Sequence, residues 1–330
     1  MDARADADAA AHAAAHADAH AAAHAALDAR APGVAGARRF KQVDVFSSVP
    51  FKGNPLAVVL DADGLSDAQM HAIARWTNLS ETTFVLPASD ARADYRVRIF
   101  SPGTEFPFAG HPTLGTAHAL LEAGLRPKTP GLLQQECGIG LVPVRMGAGG
   151  SLAFRAPAAR LTALDASLLP ALERAMQGSA FLLDPPPLVA TMGISWLIVR
   201  MASAEACLAV QPGAAGMLEL TRSGVTGLAM VGPHAAGGPA DFEVRALFTK
   251  LGMVAEDPVT GSANACIARV LQAQGFTPGA ASVTSYVQGY RARQGTALQC
   301  DGRIEVVYDA AGDPWIAGHS VTVIDGTLKP

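Results

Sequence analysis

GHPTLGTAHALLEAG (residues 110–124) and GSANACIARVLQAQG (residues 261–275) are both fifteen residues long, and their reading decides the fold. In register they share Gly110/Gly261, Ala117/Ala268, Leu120/Leu271 and Gly124/Gly275. The first reads as a helix from its leading glycine, with Pro112 at a permissible first-turn position and Gly124 placed to stop it. The second reads the same way. Four identities alone prove little, but the order upstream repeats as well. DYRVRIF from Asp94 and DFEVRALF from Asp241 precede the two helices, and ahead of those SETTFVLP (80–87) stands where TGLAMVGP (226–233) stands. These runs are rich in β-branched and aromatic residues, the composition of strands. Strand, strand, helix therefore occurs twice. The pattern predicts an α+β chain of two similar halves, each a mostly antiparallel sheet packed on a helix, facing one another across a cleft.

The rest of the chain fits that frame. VDVF (43–46) and PLAVVL (55–60) read as further strands, and SDAQMHAIARWT (66–77) as a helix with Ser66 as N-cap and Met70, Ile73 and Trp76 about one turn apart. Residues 1–37 are almost entirely Ala, Asp, His and Arg, with nothing large to bury, and read as a disordered tail ahead of the fold. Within it His12, His16, His20 and His24 recur every four residues, so a helical tail would present one stripe able to grip Zn²⁺ or Ni²⁺. A solvated tail is the plainer reading. The expected division is a first half over 38–160 and a second over 161–330, with a final strand around 316–328 returning to the first.

Composition narrows the function. With 50% hydrophobic and 16% charged residues the chain is globular, and a net charge of −4 without any Lys/Arg-rich run leaves nothing to neutralise a phosphate backbone. Nucleic acid is not the expected partner. Cys137, Cys207, Cys266 and Cys300 show no CxxC spacing and fit reduced thiols in a cytoplasm. No run of eighteen apolar residues and no signal-peptide pattern occurs, so a soluble, cytoplasmic protein without membrane contact is expected. Neither GxGxxG nor GxxxxGK[ST] is present, which disfavours a dinucleotide or P-loop enzyme.

Helix N-termini carry unpaired N–H groups and partial positive charge, and a glycine there lets an anionic ligand approach the backbone. Gly110 and Gly261 hold such positions in both halves, although either glycine would also serve simply to shape a strand-to-helix turn. His111 aligns with Ser262, and Asp257 leads into the second helix within EDPVTGSA (256–263). A histidine exchanges protons near neutral pH, an aspartate orients a histidine or an amine, and a serine bonds a carboxylate. Each has a duller use: Asp before Pro is a common turn, Ser at a helix start a common cap, and His a partner for local backbone. Glu81 differs because its counterpart is Gly227. A symmetrical structural role does not predict a carboxylate on one side only, whereas one acid/base group per cleft does.

QVDVF with FKGNPLAVVL (42–60), NLSETTFV (78–85), FPFAGHPTLGTAHAL (106–120), EDPVTGSA (256–263) and GHSVTVIDGTL (318–328) together resemble the PhzF family, in family order and over nearly all the chain after residue 40. The resemblance implies a fold like that of diaminopimelate epimerase, each domain a sheet curled around a central helix, in a homodimer. It implies that Glu81 is the acid/base group, that His111 and Asp257 join it in catalysis, and that Ser262, Gly110 and Gly261 contact the substrate. It implies an isomerase for a small carboxylate-bearing substrate such as trans-2,3-dihydro-3-hydroxyanthranilate, moving a proton between ring carbons without metal or organic cofactor. Thr249 and Lys250 depart from the family, standing where many relatives have a proline-containing turn, and so does ARQG (292–295). Two rivals share the fold. A racemase would need a cysteine at each helix start, but Ala109 and Thr260 stand there and Cys266 lies too far into its helix. A non-catalytic binding protein would not need Glu81, His111, Asp257 and Ser262 together.

Deleting residues 1–37 should leave the melting temperature within about two degrees, because the segment offers almost no apolar area. A larger drop in a thermal melt would place the start of the fold earlier.

Overall fold

The computed structural model describes residues 36–250, 252–276 and 289–330; the Ala/His-rich run up to residue 35, with the His12 to His24 stripe, lies outside the described residues. Among those described, the duplication is carried by strand direction as well as order. Asn54–Val59 runs parallel to Glu81–Leu86, which is antiparallel to Tyr95–Phe100, itself parallel to Leu132–Cys137. Ser195–Arg200, Gly227–Pro233, Phe242–Lys250 and Gly289–Gln294 repeat those three relations. The other strand pairings are antiparallel, so each half is a mostly antiparallel sheet. Arg38–Val45 opens the first copy beside Asn54–Val59, and Leu188–Thr191 opens the second beside Ser195–Arg200.

The halves exchange strands. Ser320–Leu328 pairs with Arg38–Val45 and Leu152–Arg155 pairs with Pro314–Gly318, so among the described residues one eighteen-strand network runs through both. Lys41 reinforces the first exchange: its side chain, 6% exposed, holds both Glu122 at 2.7 Å and Asp325 at 2.6 Å. We propose that the halves divide near residue 160, where the chain crosses over.

Inside each sheet lies one helix, Gly110–Glu122 or Gly261–Ala273, buried almost all round as an apolar helix in a core must be. Gly124 and Gly275 follow them at φ +100° and +78°, left-handed conformations that suit a residue without Cβ. The outer faces differ. The first half is covered by Asp67–Thr77, whose N-cap Ser66 and Gln69 form a reciprocal capping box. Its buried face is Met70, Ile73 and Ala74, while Trp76 is 79% exposed. Six residues beyond Met70, at about 100° each, Trp76 points to the opposite side. The second half is covered by Leu169–Met176, Ala204–Ala209 and Ala214–Arg222, three short helices without a periodic signature strong enough to read beforehand.

The two central helices meet at their N-termini. A Cβ added to Gly110 would lie 2.6 Å from the buried Phe154 ring and 3.1 Å from Gly261 Cα; one added to Gly261 would lie 3.0 Å from His111 N and 3.1 Å from Gly110 Cα. Backbone therefore touches backbone, and only glycine permits it.

Gly110→Ala should cost about 1–3 kcal/mol in urea unfolding, the usual range for overpacking a filled core. Gly103→Ala, with nothing within 4 Å of the added atom, should stay within about 0.5 kcal/mol. Equal effects would show that the helix starts are not in contact.

Candidate active site

Glu81 is the first residue of its strand, and the period of two places Glu81, Thr83 and Val85 on the face toward the central helix. Thr83 fixes that face: its hydroxyl accepts from Thr116 Oγ1 of the helix at 2.8 Å and donates to Ala57 O at 3.3 Å. The Glu81 carboxyl thereby reaches the helix start, and its Oε2 lies 3.3 Å from Nε2 of His111, the second residue of the helix. The contact is close but not aligned as a hydrogen bond. Both atoms are buried without a hydrogen-bond partner.

Burial first, and the Asp257 carboxylate second, push the Glu81 carboxyl up to about 8, with the Lys250 ammonium opposing. Burial alone pushes His111 down to about 3, so the imidazole is neutral and the 3.3 Å contact is not an ion pair. Burial also raises Asp257, to about 6, against the hydrogen bonds it accepts. Near neutral pH the three groups are therefore a mostly protonated Glu81, a neutral His111 and a mostly ionised Asp257, an arrangement in which one carboxyl is poised to gain or lose a proton.

Asp257 ends the strand Met253–Asp257 and accepts from Thr260 Oγ1 at 2.6 Å and from Asn54 Nδ2 at 3.0 Å. Asn54 belongs to the other half and is fully buried, and it also donates to Val259 O at 2.8 Å. Gln294 donates to Asp257 O and Thr260 Oγ1 and accepts from Thr260 N and Asn264 Nδ2, all at 2.8–3.0 Å. Asn264 returns a bond to Thr260 O, one turn back. The first half echoes this clamp: Gln135 donates to Thr113 Oγ1 at 2.9 Å, and Thr113 donates to Ala109 O at 2.9 Å. In each half a buried glutamine from the sheet grips the fourth helical residue, which grips the carbonyl before the helix.

Ser262, the second residue of its helix, accepts from Trp196 Nε1 at 3.1 Å. That hydroxyl proton is then free to donate elsewhere. Trp196 pairs across the ladder with Gly227 as Leu56 pairs with Glu81. A Cβ at Gly227 would collide with the Trp196 ring, so the indole occupies the room that the Glu81 side chain has in the other half. The six candidates thus fall into two sets around the glycine contact: Gly110, His111 and Glu81 from one half, and Gly261, Ser262 and Asp257 from the other. Among the described residues, no group of three or more His, Cys, Asp or Glu could hold a metal ion.

Sequence reasoning missed Asn54, Thr260, Gln294 and Trp196. A signal existed for part of this. Glu105-Phe106-Pro107 and Glu256-Asp257-Pro258 each start five residues before the helix glycine, which marks Asp257 as the polar replacement of Phe106. Asn54 sits in the quoted FKGNPLAVVL segment, but nothing local ties it to residues some 200 positions away.

The phenazine biosynthesis-like protein family, PhzC-PhzF, matches residues 43–326. Antisense-enhancing sequence 1 of Schizosaccharomyces pombe is 34% identical over 87% of this chain and 97% of its own length. Trans-2,3-dihydro-3-hydroxyanthranilate isomerase of Pseudomonas fluorescens is 59% identical, but over 24% of this chain and 28% of its own. Other relatives, matched over 86–88% of the chain, are described as uncharacterized isomerases. Among solved structures, a Bacillus anthracis phenazine biosynthesis protein of the PhzF family superposes with a TM-score of 0.74 at 26% identity, covering 88% of this chain and 99% of that one.

Between the ordinary Glu value of 4.5 and about 8, the folded protein holds a proton on Glu81 that the unfolded chain has released, so this group lowers stability as pH rises. The slope is at most about 1.4 kcal/mol per pH unit. Glu81→Gln removes the term, so its stability relative to wild type should improve steadily from pH 5 to pH 8 in denaturant titrations. A difference that does not change with pH would show that the carboxyl is not held neutral.

Proposed function

The chain belongs to the phenazine biosynthesis-like PhzC-PhzF family and is an isomerase, and from that footing we propose that it moves a proton on a small carboxylate-bearing, dihydroanthranilate-like substrate with Glu81 as the single acid/base group. The observation that carries this reading is Glu81 itself. It is one carboxyl, unmatched in the duplicated half, 17% exposed, raised to about 8 and 3.3 Å from His111.

In the reaction, ionised Glu81 takes a proton from a ring C–H, and the electron pair of that bond passes into the conjugated acid as an enolate-like anion. Backbone N–H groups at the Gly110 and Gly261 helix starts stabilise that charge where it develops. Protonated Glu81 then returns the same proton to a different carbon. No electrons leave the substrate. A raised value suits both steps, because a carboxyl titrating near the working pH is an adequate base and, once protonated, an adequate acid. Neutral His111 and the clamped Asp257 orient the polar groups of the substrate, and Ser262, its oxygen occupied by Trp196, donates to it. We take the substrate class from the Pseudomonas fluorescens isomerase, whose similarity spans a quarter of this chain. We propose a homodimer, as the resemblance implies, in a cytoplasm, as the scattered cysteines suggest. A two-cysteine racemase is not supported: Ala109 and Thr260 cap the helices, and Cys266 is buried with its thiol pushed up to about 12.

Glu81→Gln should retain affinity for a substrate analogue and lose about 10² to 10⁴ in turnover, the usual contribution of an acid/base group. Ser80→Ala, one residue away in the exposed bend before the strand, should turn over normally. The assay follows isomerisation of trans-2,3-dihydro-3-hydroxyanthranilate, and wild-type kcat/KM should rise with pH through about 8. Wild-type turnover by Glu81→Gln would refute the mechanism.

A further inference from the structure

The two halves differ in the hairpin that leads to each central helix. In the first, Ile99 pairs with Phe106 and Phe100 with Glu105, and the chain turns at once, Ser101 N bonding Thr104 O at 2.8 Å. In the second, Ala246 pairs with Asp257 and Leu247 with Glu256, which are the equivalent pairs. The ladder then continues through Phe248 with Ala255, Thr249 with Val254, and Lys250 with Met253. Three extra rungs make this hairpin longer than its counterpart in the first half.

The faces of those rungs follow from the period of two. Leu247 and Val254 belong to the cluster under the outer helices, and Thr249 Oγ1 lies 3.1 Å from Thr221 Oγ1 of Ala214–Arg222. Ala246 belongs to the cluster around the central helices. Phe248, Lys250, Met253 and Ala255 therefore share the inner face with Ala246 and Asp257. Lys250 sits at the exposed end of that face, and its charge is felt at Glu81, on the opposite half. Among the described residues the Lys250 ammonium has neither an ion-pair nor a hydrogen-bond partner, whereas ten other Lys and Arg side chains, Lys41 and Arg245 among them, are paired with acids.

We propose that Lys250 is a specificity residue that pairs with the carboxylate of the substrate, held over the cleft by the lengthened hairpin. The assignment rests on the cleft proposed above being the substrate site. It gives the unmatched cation an anion supplied by the ligand, on the sheet face that also carries Asp257.

Titration calorimetry with 3-hydroxyanthranilate and with 2-aminophenol, the same ring without the carboxylate, tests this. Wild type should prefer the acid; Lys250→Met should lose about tenfold in affinity for it and none for 2-aminophenol, and Lys250→Arg should restore the preference. In turnover the loss should fall on KM rather than kcat. The proposal is overturned if wild type shows no preference for the acid, if both ligands weaken equally, or if Lys250→Met only shifts the pH profile of Glu81. A separate readout keeps the two readings apart. If the acid binds with a Lys250-dependent preference yet wild type exchanges no solvent deuterium into a dihydro acid, the isomerase mechanism fails and the anion site stands.

Discussion

Everything at the centre of this molecule depends on Gly110 and Gly261 lying against each other. Because neither has a side chain, the starts of two nearly fully buried helices come within van der Waals contact, and each start carries N–H groups without an intrahelical partner. Two partial positive charges would ordinarily repel and seek water. What holds them together is hydrogen bonding from the sheets: Gln135 through Thr113 on one side and Gln294 through Asn264 and Thr260 on the other. These bonds are buried and nearly saturated, so pulling either helix back would strand polar groups in an apolar core.

On this symmetrical frame the chemistry is asymmetrical, and the asymmetry is a packing decision. At one ladder position the pair is Leu56 and Glu81, which leaves a carboxyl in the cleft. At the equivalent position the pair is Trp196 and Gly227, and the indole fills that volume while bonding Ser262. Asp257 and Phe106 show the converse exchange. Each half thus supplies one carboxyl at a place where the other is apolar or empty. The arrangement separates their environments: Asp257 is held by Thr260 and Asn54, while Glu81 receives no hydrogen bond at its buried oxygen. Two carboxyls with different surroundings take assigned protonation states, whereas a close pair in equivalent positions would share one proton between them.

The fold was legible because its signal is repeated. Two fifteen-residue helices with the same glycine ends, each preceded by the same strand order, are visible without knowing what packs on what. Glu81 was legible for the opposite reason, as the place where repetition fails. What stayed hidden is long-range or short. Asn54 reaches Asp257 across 203 positions, and Trp196 reaches Ser262 across 66, with no local pattern to mark either. Leu169–Met176 and Ala204–Ala209 are too short to show a clear period, and their helicity comes from covering the sheet rather than from propensity. The strand exchange was partly visible, since a strand near the C-terminus was expected to return; the other crossing, Leu152–Arg155 against Pro314–Gly318, carried no signal of its own.

The exchange bears on how the site can work. A cleft between two domains joined by a linker can open and close as a hinge, and the separation of its groups then varies with closure. Here the halves share two ladders, Arg38–Val45 with Ser320–Leu328 and Leu152–Arg155 with Pro314–Gly318. Asn54 of one half is further bonded to Asp257 and Val259 of the other. Opening the cleft widely would break backbone ladders, not just side-chain contacts. Glu81 and His111 are held within one half, and Asp257 is tied to that half through Asn54, so the three keep their relation without a ligand to assemble them. A carboxyl that must stay dry to titrate near 8 needs such a frame, because a hinge that opened would flood it and return it toward 4.5.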